Sequence, residues 1–113
     1  MTEPLTQVFI ESEIARLCAY AENVTQQLAK RARESAQADA DYKKAHAQAF
    51  LMAQGKTVGD REAVASLETA DEYERRKIAE ALLMAATEAG RNVRAQLDSL
   101  RSLNANQRAL ITN

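Results

Sequence analysis

Tryptophan is absent from this 113-residue chain; proline, cysteine and histidine occur once each, and glycine three times. An all-β domain needs turn residues every eight to twelve positions or so, so the scarcity of glycine and proline excludes one. Cys18 stands alone, which excludes an intramolecular disulfide and fits a reducing compartment. With His46 also alone, neither a zinc site nor a Cys–His dyad can form within one chain. The aromatics are only Phe9, Tyr20, Tyr42, Phe50 and Tyr73, so platforms for stacking bases are few. Charge of one sign is lacking too. A net charge of −1 excludes a uniformly basic nucleic-acid binder while leaving room for local patches. No apolar run approaches the roughly 18 residues of a membrane span, and MTEPLTQVFIESEI carries acids where a signal peptide carries bases. A soluble, cytoplasmic protein of one domain is expected.

Alanine and long-range periodicity fill the space these absences leave. Alanine has the best helix propensity but removes little apolar area from water, which favours close-packed helices over a bulky core. With Ile14 at heptad position a, a frame runs through Ile10, Ile14, Leu17, Ala21, Val24, Leu28, Arg31, Ser35, Ala38, Tyr42, Ala45, Ala49 and Met52. Alternating steps of three and four mark the seam of a left-handed coiled coil. Arg31 and Ser35 interrupt its apolar character, so a bend or a change of packing partner is expected near residues 30–37. Thr2, Glu3 and Pro4 supply a helix start. Thr57, three residues before Asp60, supplies a second. From there an apolar stripe runs through Val64, Leu67, Ala70, Glu74, Ile78, Leu82, Ala85, Ala89, Val93, Leu97, Leu100 and Leu103. Gly90 marks a close helix contact in it.

The predicted fold is all-α: a long antiparallel helical hairpin or coiled coil, oligomeric, forming a single helical domain over 1–113. One helix covers about 4–53, a loop 54–59, a second helix about 60–103, and a frayed tail 104–113. Charge blocks select the antiparallel arrangement. Residues 1–29 carry net −3, 30–56 net +3, 57–80 net −3 and 81–113 net +2, so folding back at the loop lays opposite signs side by side. A two-helix hairpin has one thin seam. The expected remedy is a homo-oligomer held by Ile14, Leu17, Val24, Leu28, Ile78, Leu82, Val93 and Leu97.

Catalytic chemistry finds no constellation. Gly55-Lys56-Thr57 has the closing letters of a phosphate-binding loop, but Phe50 stands where GxxxxGK[ST] needs its first glycine, and no hydrophobic strand precedes it. The segment is an interhelical turn. His46 is expected to be a solvated surface residue and Cys18 a small buried hydrophobe. Asp71, Glu72 and Glu74, beside Arg75, Arg76 and Lys77, form a solvated helix face, except that Glu74 falls in the apolar stripe and there faces a base from another helix. No metal site, no cofactor and no enzymatic activity are expected. The bases offer the one functional signal: the clusters Lys30, Arg31 and Arg33, then Lys43 and Lys44, then Arg75, Arg76 and Lys77, and the arginines Arg94, Arg101 and Arg108 at seven-residue intervals, with Lys56 in the loop. They either pair with acids in the hairpin or, gathered by oligomerisation, hold a nucleic-acid backbone without sequence preference.

From about 43 to 103 the organisation resembles the small helical proteins of tailed-phage recombination regions and, more distantly, the UvsY-type recombination mediators. The shared features are an Ala-rich basic helix, the loop GKTVGDREA and a long helix ending in regularly spaced arginines. Where the distant mediators place bases immediately before the loop, this chain has Gln48, Ala49 and Phe50, with Lys43 and Lys44 the nearest. The resemblance implies a non-enzymatic homo-oligomer that binds single-stranded DNA; it assigns no residues to that contact, and the bases expected to make it are Lys43, Lys44, Arg94, Arg101 and Lys56. It also implies partners in a recombinase or a single-strand-binding protein, and a place in the host cytoplasm if the protein is phage-encoded. The alternative is a coiled-coil interaction scaffold, or an inhibitor of a host protein, that does not touch nucleic acid.

Overall fold

The structure, a computed structural model, describes residues 6–112. Three helices follow in order: α1 (Gln7–Met52), α2 (Val58–Glu68) and α3 (Ala70–Thr112). The helix start expected at Thr2–Pro4 lies outside the described residues. Within them Thr6 starts α1, its Oγ1 accepting from the Phe9 N–H at 3.1 Å. Thr57 caps α2 as its spacing predicts, accepting from the Asp60 N–H at 3.1 Å. Gly55 is needed in the loop between them because a Cβ there would stand 2.9 Å from the Cβ of Asp60.

Two compact units make up the chain. One comprises Met1–Leu28 with Ala86–Asn113, the other Ala29–Ala85. Each is an antiparallel pair of helical segments, the hairpin arrangement that the heptads and charge blocks predict. In the first unit Leu17, Val24, Val93 and Leu97 are buried together, with Ile14, Ala21, Ala89 and Leu100 packed around them. Burying each large aliphatic contributes about 1.5–3 kcal/mol, so this is the main apolar core. Gly90 faces Val24, but a Cβ would meet Val24 Cγ1 at an ordinary 3.7 Å, so the contact does not require glycine. In the second unit the buried residues are small, Ala38, Ala65, Thr69 and Ala79.

Four expectations need correction. First, α1 is one unbroken helix through residues 30–37, where Arg31 in the seam pairs with Glu34 at 3.0 Å. Second, the helix from residue 60 is interrupted at Thr69. Its buried Oγ1 donates to the Ala65 carbonyl at 2.7 Å, and this back-bonding competes with the regular ladder and separates α2 from α3. Third, residues 104–112 are helical rather than frayed. The Gln7 side chain donates to Asn104, and Arg108 lies 3.6 Å from Glu11, tying the last turns of α3 to α1. Fourth, Cys18 is exposed rather than buried; it occupies the position after Leu17, outside the seam.

The α3 seam also differs in phase from the apolar stripe. Buried and half-buried positions run through Ala65, Thr69, Glu72, Arg76, Ala79, Leu83, Ala86, Gly90, Val93, Leu97 and Leu100, with steps of four and three alternating throughout. Expected and observed positions coincide only from Val93 to Leu100. Glu74, Ile78 and Leu82 lie outside the seam and are exposed.

Candidate functional site

With Arg76 and Leu83 at position a and Ala79 and Ala86 at d, Tyr73 and Glu80 fall at e and Arg75 and Leu82 at g. In the α1 frame Asp39 and His46 are e, and Glu34 and Asp41 are g. Antiparallel pairing places e beside e and g beside g, so the second unit has two chemically different flanks.

The e flank is a polar and aromatic cluster. Arg76 reaches across the seam with Nε 2.9 Å from Asp39 Oδ1 and 3.4 Å from Glu80 Oε1, and its guanidinium lies over the Tyr42 ring at 5.2 Å. The Tyr42 ring meets Tyr73 edge-on with centroids 5.6 Å apart and His46 tilted at 5.6 Å. Lys77 sits over Tyr73 at 5.5 Å. His46 Nε2 lies 3.0 Å from Glu62 Oε1, an ion-pair distance without hydrogen-bond alignment. The His46 side chain is only 20% exposed. It is therefore not the solvated residue expected, because position e turns it against α2.

Lys43 Nζ stands 2.9 Å from Asp39 Oδ2. Hydrogen bonding from Lys43, opposed in part by burial and reinforced by Arg76, holds the Asp39 carboxyl below its ordinary 3.8. The folded state thus favours the charged form, so the stabilisation is present above the unfolded value and is lost as the pH falls through the lower folded one. Asp39→Asn is expected to remove part of the acid-side loss of stability. Urea midpoints followed from about pH 5 down to pH 2 check this: the wild type falls more steeply than the variant, and equal slopes exclude the effect.

The expected nucleic-acid residues are dispersed. Lys43 is occupied by Asp39, and the Tyr42 and His46 rings beside it pack within the chain. Lys44 and Lys56 are exposed in the second unit. In the first unit Arg94 and Arg101 line one groove along the e flank with Thr25 and Leu28. Among the described residues none of these four makes an ion pair. Of the residues expected to join chains, Leu17, Val24, Val93 and Leu97 are buried inside the first unit, and Ile14 and Leu28 are half-buried there. Ile78 and Leu82 alone of the eight are exposed, at 53% and 39%.

Sequence reasoning missed the Asp39–Arg76–Tyr42 cluster and the separation of the flanks. Strict alternation of four- and three-residue steps back from Val93 would have put Arg76 in the seam and Ile78 outside it. Among the described residues no group of three or more His, Cys, Asp or Glu is placed to hold a metal ion, and no helix is long and apolar enough to cross a membrane. The chain matches no protein-family model, no curated protein and no solved structure.

Proposed function

We propose that the protein is a non-enzymatic helical interaction module that works as a homo-oligomer. The observation that carries this reading is the exposure of Ile78 and Leu82 beside a seam filled mainly by alanine, threonine and charged residues. Their own chain covers only part of these large aliphatics, and a second chain would bury the rest. The charge pattern agrees, since Lys43, Arg76 and Lys77 are occupied by acids of the same chain.

A second reading, single-stranded DNA binding in recombination, is favoured by Arg94 and Arg101. Among the described residues both are without acidic partners, and they stand one heptad apart on the same edge, a spacing of roughly 10 Å that suits successive contacts to a flexible phosphate backbone.

Light scattering across a size-exclusion peak, together with anisotropy of a labelled poly-dT strand at low and raised salt, separates the two. The module reading expects a mass that is a multiple of 12.5 kDa, with no DNA binding. Binding that weakens steeply with salt and is lost in Arg94→Glu/Arg101→Glu would establish the second reading instead. A 12.5 kDa particle at tens of micromolar overturns the first.

A further inference from the structure

The g flank of the second unit carries a patch formed by Glu34, Ala38 and Asp41 from α1 and by Arg75, Ile78 and Leu82 from α3. Its exposed apolar residues are Ile78 and Leu82, with the buried Ala38 beneath them, and Asp41 and Arg75 lie at one end. Asp41 Oδ1 accepts from Gln37 Nε2 at 2.8 Å, and Asp41 makes no ion pair among the described residues. Arg75 is exposed and makes no ion pair among the described residues. Glu34, by contrast, is held by Arg31 of its own chain.

We infer that this patch is a self-complementary docking surface for a second copy of the chain, joined about a two-fold axis running along the helices. The inference rests on the proposed homo-oligomeric reading and assigns its interface. The charge arrangement argues for this occupant. Rotation about that axis lays α1 of one copy over α3 of the other without reversing their levels, so Arg75 of each copy meets Asp41 of the other. Ile78 of each copy seats over the α1 turn that carries Ala38 in the other, and Leu82 lies at the level of the other copy's Glu34, whose charge Arg31 of its own chain already holds. Rotation about an axis across the helices would instead set Asp41 against Glu34 of the other copy, a like-charge pairing. The patch thus selects one isologous arrangement, in which one surface generates both ion pairs.

Charge variants that complement only between chains test it. Arg75→Asp alone places two carboxylates against each other twice per dimer, and Asp41→Arg alone places two bases against each other twice. Each is expected to weaken association about tenfold or more. Mixed in equal amounts, the two variants form a heterodimer in which both pairs are opposite in sign, and association recovers to within about threefold of the wild type. No contact within a chain can produce that recovery. Sedimentation velocity over a dilution series reads the association, and circular dichroism checks that helicity is unchanged.

Ile78→Ser/Leu82→Ser is expected to yield a 12.5 kDa species at concentrations where the wild type is dimeric. If the wild type associates but neither the serine pair nor the mixture changes its association, this interface is overturned while the interaction-module reading stands. If the wild type is monomeric throughout, that reading falls and the interface with it.

Discussion

Leu97→Ala is expected to destabilise the unit that contains it by about 2–4 kcal/mol. Leu97 is buried against Leu17, Val24 and Val93, the only cluster of large buried aliphatics among the described residues. Truncation there loses both transfer energy and packing, and few neighbours are available to fill the space. Leu97→Met keeps the volume and should cost less than about 1.5 kcal/mol. Urea unfolding at fixed protomer concentration measures both, because association with another chain would shift the midpoint with concentration. A loss below about 1 kcal/mol for the alanine variant would mean that this cluster is not the main source of stability.

Tyr42→Ala should have the corresponding effect in the second unit, about 2–3 kcal/mol. Its ring is the common neighbour of Tyr73, His46 and Arg76, and removing it strips three contacts at once from a seam whose other buried residues are small. The hydroxyl makes no hydrogen bond among the described residues, so Tyr42→Phe should stay within about 0.5 kcal/mol of the wild type. Equal losses from the two variants would place the energy in the hydroxyl and refute the ring-centred account.

Much of the fold was legible because α1 follows the simplest rule. Its frame from Ile10 to Ala49 holds position by position, and even Arg31 and Ser35 occupy seam positions, half-buried and helical. Only its last member, Met52, fails; it is exposed where α1 ends and the half-buried residue is Ala53. In α3 the rule was harder to apply. The most apolar residue at each turn, Ile78 and Leu82 above all, draws the stripe into successive four-residue steps, which drift around a helix relative to a 3.5-residue repeat. The residues that keep the true phase are Thr69, Glu72 and Arg76, which no hydrophobic pattern marks. Arg76 tolerates its position because Asp39 and Tyr42 satisfy its charge and cover its plane, and those two residues lie 37 and 34 residues away in sequence. The basic clusters were visible as composition, but which bases would be occupied was not, since Lys43 and Lys44 each have an aspartate one turn before them, and Asp39 pairs with Lys43 while Asp41 accepts from Gln37.

Thr69 has a kinetic corollary. An isolated helix of the length of α2, 11 residues with Ala65 its one buried member, lies below the roughly 12–15 residues at which a helix becomes self-sustaining in water. Nucleation is the costly step, and α2 need not perform it. The Thr69 N–H donates to the Ala65 carbonyl at 3.1 Å and the Tyr73 N–H to the Thr69 carbonyl at 3.0 Å, so backbone hydrogen bonds cross the junction despite the interruption. Helical order can propagate backward from α3 one residue at a time until the Thr57 cap closes it, and α2 borrows its nucleus from its neighbour.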